Sequence, residues 1–187
     1  RSVEMGQGIY TAAAMLIAEE LEVRLDQIEA LAAPANEALY TDPILGQQET
    51  GGSASTRSSW IPLRQAGATA RVMLIMAAAK RWGVVFEDCV ARQGMVTHSA
   101  SGRSASYGEL AEDAARQPVP DNVPLKPASE FRLIGSSAHR LDSAAKANGT
   151  ATFGIDIKVP GMKIGTVAAC PVRGGRLVSI DEAAAKR

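Results

Sequence analysis

Two short stretches carry residue types that could do chemistry, and both set glycines beside small polar side chains just ahead of a helix. In Glu4-Met5-Gly6-Gln7-Gly8-Ile9-Tyr10-Thr11 two glycines flank one amide, and apolar residues at Ile9, Ala13, Leu16, Ile17 and Leu21 then recur at helical period. A helix is therefore expected to start at or just after Gly8. The first turn of a helix leaves backbone N–H groups without partners, and glycine has no Cβ to hold a ligand away from them. Gln7 adds one acceptor and two donors. Such a turn suits the hydrogen-bonding edge of a ligand, or an anion, better than it suits bond-making. The second stretch, Gly51-Gly52-Ser53-Ala54-Ser55-Thr56, precedes a long helical pattern. Backbone N–H groups, hydroxyls and the positive end of a helix dipole together make a cradle for phosphate. It is not a nucleotide P-loop, because Ser53 stands where a lysine would follow the glycine. Taken singly, each stretch is read more economically as a tight turn or a Gly/Ser connector into a helix.

Nucleophilic catalysis has no comparable footing. His98 and His139 have no Gly-x-Ser-x-Gly elbow nearby, and a histidine on a hairpin reads as a surface residue. Glu19 and Glu20 are neighbours on the first helix and point about 100° apart, which reads as two solvent-facing carboxylates. Cys89 and Cys170 stand alone, with no His or Cys at metal spacing and no disulfide framework. Cys170, in a strand-like segment before Pro171, reads as a buried structural thiol. No catalytic residue and no metal ligand is assigned.

The elements that must position the two stretches come from composition and patterning. The 187 residues are 46% hydrophobic, enough for one filled domain or one domain and part of a second. Twenty basic and twenty acidic side chains cancel, and no basic stripe with interleaved aromatics marks a nucleic-acid partner. The longest mostly apolar run, Val72 to Ala79, falls short of the roughly 18 residues of a membrane span. The chain begins at Arg1 inside a strand-turn-helix pattern and stops after a strand-like segment, so it reads as a piece of a longer protein. Residence in the periplasm or the cytoplasm is left open.

Residues 22–32 alternate weakly, as in a half-buried strand closed by Pro34. Residues 35–52 form a long irregular loop, of the kind that carries function. A helix is expected from a cap at Ser58 or Ser59, with Pro62 in its first turn, to Trp82, ended by Gly83. Its Gln65-Ala66-Gly67-Ala68-Thr69-Ala70 run would let another backbone come close. Residues 87–98 read as a hairpin turning at Gln93-Gly94. A capping box, Ser106 with Glu109, opens a short helix from about Tyr107 to Arg116. Prolines then mark an extended linker, and strands are expected over 150–157, 162–169 and 177–180. That unfinished β unit would expose edges through which the chain could self-associate.

In combination the motifs resemble a known family. Glu4-Met5-Gly6-Gln7-Gly8, Ala18-Glu19-Glu20-Leu21, Thr50-Gly51-Gly52-Ser53, Leu63-Arg64-Gln65-Ala66-Gly67-Ala68, Ser101-Gly102-Arg103, Tyr107-Gly108-Glu109-Leu110-Ala111, Phe131-Arg132-Leu133-Ile134-Gly135, Arg140-Leu141-Asp142 and Phe153-Gly154-Ile155-Asp156 follow one another along nearly the whole chain. Together they resemble the molybdopterin-binding large subunit of the xanthine dehydrogenase and aldehyde oxidase family, in the branch typified by isoquinoline 1-oxidoreductase β-subunits and bacterial aldehyde dehydrogenases of that type. The resemblance implies an α+β fold. Residues 1–117 would be part of a molybdenum-cofactor-binding domain, helices packed on a small mixed sheet. Residues 118–141 would be an extended linker, and 142–187 the start of an α/β-hammerhead domain. It implies molybdopterin, in its cytosine dinucleotide form, as the parent enzyme's cofactor. Gly6, Gln7 and Gly8 would face the pterin or metal end, and Gly52, Ser53 and Ser55 the phosphate or dinucleotide tail. It further implies an iron–sulfur small subunit and the remainder of the large subunit as partners, and an aldehyde or N-heterocycle as substrate, hydroxylated with oxygen from water. The family's general-base glutamate has no match here, so the piece alone is expected to be inactive, and whether it holds cofactor by itself is left open. The alternative is a structural or interaction domain that binds no cofactor; the orientation of the two glycine turns separates the readings.

Overall fold

The computed structural model describes residues 1–183, 185 and 186. It divides into two units, Arg1–Thr150 and Ala151–Arg187. In the first, helix α1 (Ile9–Leu21) lies along α3 (Ala54–Trp82), with a single turn, α2 (Glu37–Tyr40), in the loop between them. Strands β1 (Cys89–Arg92), β2 (Met95–His98) and β3 (Arg103–Ser106) form one sheet in the order β1-β2-β3, followed by α4 (Tyr107–Ala115) and the short α5 (Ser143–Ala147). Both strand pairs are antiparallel, with Val96 opposite Ala91 on one side and Ala105 on the other. The α+β class stands, but the sheet is antiparallel instead of mixed, because its strands are joined by short turns that allow no parallel crossover.

Most local expectations are met where a turn residue or a cap decides them. Gln93 (φ +51°) and Gly94 (φ +79°) both lie in the left-handed region that a two-residue hairpin turn demands. Ser106 Oγ accepts from Glu109 N–H while the Glu109 carboxylate takes Ser106 N–H, closing the capping box of α4. Gly83, at φ +65°, ends α3. The core is the C-terminal half of α3 against the sheet and α4: Leu74, Ile75, Ala78, Val96, Ala105 and Leu110 are buried together.

Where packing decides, the outcome differs from the sequence pattern. Residues 28–31 alternate in exposure, yet none of the described residues offers them a ladder, so no strand forms. Helix α3 starts at Ala54 and runs through Pro62. Proline has no N–H to give Ser58 C=O, and that carbonyl is served instead by Arg1 Nη2 at 2.6 Å, so the helix continues past the defect. In the second unit the expected strands are absent among the described residues; only a 3₁₀ turn at Gly154–Asp156 forms. Ile155, Ile164, Val167 and Val178 stay nearly fully exposed. Alternating residues make a strand only when a neighbouring strand supplies the hydrogen-bond ladder and a layer covers the apolar face. Cys170 is accordingly exposed instead of buried, and His98 is buried on the sheet, with Nδ1 2.7 Å from Ser101 Oγ.

The largest departure lies on α1. Glu19 and Glu20, expected to face solvent, are buried at 3% and 0% exposure. Their divergent directions send them to different partners. Glu20 Oε1 accepts from Arg64 Nε (2.9 Å) and Nη2 (2.6 Å) on α3, and also from Lys126 N–H. Glu19 Oε2 accepts three consecutive backbone N–H groups, from Arg132, Leu133 and Ile134, while Oε1 meets Lys126 Nζ at 3.1 Å. The guanidinium of Arg64 also sits 4.9 Å from the Phe131 ring and 5.2 Å from that of Trp60. Residues 118–141 carry only a 3₁₀ turn at Ala128–Glu130 and a turn closed by Ser136 N–H on Leu133 C=O, and form a strap tied to α1 and α3. The sequence conceals this because burial follows from what packs on top of a helix, and the strap lies about a hundred residues further along the chain.

Two measurements test this packing. An added Cβ on Gly67 would stand 2.6 Å from Ile17 C=O on α1, so Gly67→Ala should lower stability by about 1–3 kcal/mol. Gly108→Ala, which meets only Ser106 Oγ at 4.0 Å, should leave stability unchanged or raised in the same urea titration. Burial alone would push the Glu19 carboxyl up, but the N–H groups of Ile134 and Leu133, the Lys126 ammonium and Arg132 N–H outweigh it and hold it below its ordinary value of 4.5. The unfolded chain therefore binds this proton more readily than the native one. The contribution is fully present above 4.5 and is lost as pH falls through the lowered value. Urea midpoints measured from pH 6 down to 3 should fall more steeply in the wild type than in Glu19→Gln, which should itself be less stable at pH 6 by about 3–5 kcal/mol.

Candidate functional site

The two glycine-bearing stretches open onto one cleft. A cavity of about 390 Å³ is lined by Gln7 and Gly8 from the α1 end and by Thr50, Gly52, Ser53 and Ser55 from the α3 end. Val3 N–H donates to Thr50 Oγ1 at 2.8 Å, joining the two backbones at the rim. Of the six residues singled out from the sequence, five line this cavity; Gly6 lies outside it, exposed at φ +107°.

The two ends differ in chemistry. At α3 the helix begins after Gly52 (φ +55°) and Ser53 (φ +53°), two successive left-handed residues, and no side chain caps the terminus. Ala54 N–H is held by Gly51 C=O at 3.0 Å, while the following N–H groups of the first turn point out of the helix end, and Gly51 and Gly52 bring no side chain of their own to that approach. At α1, Gly8 (φ +88°) is the cap residue, but three donors of this turn are already taken. Glu4 Oε1 accepts from Gly6 N–H at 2.7 Å and Gly8 N–H at 3.0 Å, and Oε2 from Tyr10 N–H at 3.3 Å. The expectation of unpartnered amides at this turn is thereby corrected: the carboxylate of the motif's own first residue fills the place an anion would take. Gln7 is likewise folded back, Oε1 accepting from Met5 N–H and Nε2 donating to Val3 C=O.

Three residues missed from the sequence hold these ends in place. Arg140, on the strap, donates from Nη1 to Gly6 C=O at 2.6 Å and pairs with Glu4 at 3.2 Å, while Asp142 grips its other edge at 2.8 Å and 2.9 Å. Burial would raise the Glu4 carboxyl, but the N–H groups of Gly8, Gly6 and Tyr10 and the Arg140 charge hold it below the ordinary glutamate value. Asp142 lies well below the carboxylate range through hydrogen bonds from Arg140 and Lys146. Asp42, 1% exposed, accepts from Ser58 Oγ at 2.5 Å on α3 and from Ile44 N–H at 2.9 Å, so it fastens the long loop ahead of Gly51 to the helix that follows. Arg140 and Asp142 stand in a motif visible in the sequence, whereas nothing local marks Asp42.

Among the described residues no group of His, Cys, Asp and Glu could hold a metal ion, and no helix is long and apolar enough to cross a membrane. The cleft is lined by the Gln7 amide at one end and by glycine backbone and the hydroxyls of Thr50, Ser53, Ser55 and Thr56 at the other, with no His, Cys, Asp or Glu among its lining residues.

Residues 1–160 match the molybdopterin cofactor-binding domain family. The chain is 35% identical, over its whole length, to the beta chain of isoquinoline 1-oxidoreductase from Brevundimonas diminuta. It is 38% identical, over 98% of its length, to a membrane-bound aldehyde dehydrogenase [pyrroloquinoline-quinone] of Gluconacetobacter polyoxogenes, and 35% identical, over 96%, to a nicotinate dehydrogenase subunit of Pseudomonas putida. It spans 28%, 24% and 15% of these relatives' own lengths.

The Glu4 cap is open to direct measurement. Glu4→Ala should cost about 0.5–2 kcal/mol of stability, as the loss of a helix cap does. Hydrogen exchange should quicken at the Gly6, Gly8 and Tyr10 amides while the α4 amides stay unchanged.

Proposed function

The chain belongs to the molybdopterin cofactor-binding domain family, and on that premise we propose that it is the cofactor-holding piece of the large subunit of a molybdenum hydroxylase. One observation carries the reading: the Gly-Gln-Gly turn and the Gly-Gly-Ser turn, 45 residues apart in sequence, line the same cleft. The donor chemistry of the two ends orients the guest. Ser53, Ser55 and the uncapped amides behind Gly51 and Gly52 would hold its phosphates, where the dipole of a 29-residue helix favours negative charge. Glu4 excludes a second anion from the α1 end. The Gln7 amide, once released from Val3 and Met5, would hydrogen-bond the neutral edge of a pterin there, beside Gly6 and Gly8. When bound, molybdopterin supplies the redox chemistry, and the protein supplies placement and charge.

In this proposal the cofactor is the cytosine dinucleotide form, and the substrate of the complete enzyme is an aldehyde or an N-heterocycle that takes oxygen from water. An iron–sulfur subunit and the remainder of the large subunit complete the assembly. The piece alone holds no general base and turns over nothing. Residues 1–117 contribute to the cofactor-binding domain, 118–141 form the extended segment, and 142–187 open a hammerhead domain whose strands form once partner strands cover residues such as Ile164 and Val178. The occupied α1 amides favour one rival, a structural or interaction domain that binds no cofactor.

Molybdenum content of the purified full-length protein separates the two. Ser53→Asp puts a carboxylate at a helix N-terminus, where the dipole favours it, and sets that charge where phosphate would sit, so it should leave stability equal or higher and cut bound molybdenum at least tenfold. Gln7→Ala should lower it less. A wild-type protein free of molybdenum, or a Ser53→Asp variant with full loading, would rule the proposal out.

A further inference from the structure

The ion cluster around α1 is one anion short. Three carboxylates, Glu19, Glu20 and Glu22, face four cations, Arg64, Arg71, Lys126 and Arg132. Arg64 and Lys126 are fully engaged, at distances of 2.6 to 3.1 Å. Arg71 is not. Its closest acid is Glu20 Oε2 at 3.9 Å, on a carboxylate already committed to Arg64 and Lys126 N–H, and its Nε is buried with no hydrogen-bond partner among the described residues. A buried guanidinium N–H without an acceptor is costly, and such groups in folded proteins mark an acceptor still to be supplied.

Arg71 lines a cavity of about 310 Å³ together with Glu22, Arg92 and Arg132, with Ile75 and Val90 as apolar wall. Glu22 does not serve it: its carboxylate is turned to Lys126 at 2.6 Å and Arg132 at 3.3 Å and makes no ion pair with Arg71. Every titratable group facing the cavity other than Glu22 and the neutral thiol of Cys89 is therefore cationic. A planar guanidinium edge matches a planar carboxylate with two parallel N–H···O bonds.

We propose that this cleft is a carboxylate site, in which one carboxylate lies on Arg71 between Arg92 and Arg132 with its carbon chain against Ile75 and Val90. The carboxylate comes from a small organic acid or from an Asp or Glu side chain of another polypeptide segment; the chemistry is the same. It is separate from the cleft between the α1 and α3 N-termini and does not rest on what that cleft binds.

Thermal unfolding of the full-length protein tests it, with acetate and benzoate compared against chloride at equal ionic strength, in the wild type, Arg71→Lys and Arg71→Met. Lysine keeps the charge toward Glu20 and loses the fork. A free acid is shown by a saturable rise in the wild-type midpoint that both variants lose. A polypeptide carboxylate is shown by no rise in any form, with both variants unfolding several degrees below the wild type. The proposal is overturned if the rise persists in both variants. It is equally overturned if there is no rise and either Arg71→Lys restores the wild-type midpoint or Arg71→Met matches or exceeds it.

Discussion

Two adjacent carboxylates buried on α1 and pointing in different directions are the constraint that the first unit depends on. A charge taken out of water is tolerable only where donors replace its hydration. Glu20 finds them on α3 and Glu19 on the strap. The requirement thereby fastens together three segments remote in sequence, and it does so directionally. Three consecutive N–H groups converge on a single oxygen of Glu19, which fixes the strap's register on the helix in a way apolar contact alone would not.

The site inherits its geometry from that framework. With Gly67 allowing α1 and α3 to approach until a Cβ would collide with Ile17 C=O, the two helix N-termini lie near one another. The strap then returns Arg140 to the α1 turn, where it clasps Glu4 and Gly6 C=O. The same chemical device, a carboxylate in place of a ligand's anion, settles one end of the cleft and leaves the other end open. The polarity of the cleft thus follows from which terminus carries its own carboxylate.

The second unit shows the limit of local pattern. Its alternating residues have strand chemistry and turn residues at suitable spacing, but strands are cooperative with their neighbours, and the described residues provide none. Exposed Ile155, Ile164 and Val178 are the physical sign of a layer that has nothing to pack on.

Amino-acid order alone determined whatever rests on interactions within a few residues. The start of α1 after Gly8, the hairpin at Gln93-Gly94, the capping box of α4 and the stop at Gly83 were all legible, because backbone sterics and caps act locally. The α+β class and the family followed from motifs in order. Tertiary structure alone decided that Glu19 and Glu20 are buried and that Pro62 sits inside a helix. It also decided that Glu4 closes one anion site, that Asp42 anchors the loop, and that Gln7 and Ser53 line one cleft. Each of those outcomes is set by a partner at least 16 residues away, except Glu4, whose reach to Gly6, Gly8 and Tyr10 is local and is backed by Arg140. Sequence pattern records which side a residue prefers, but not which neighbour arrives to make that side an interior.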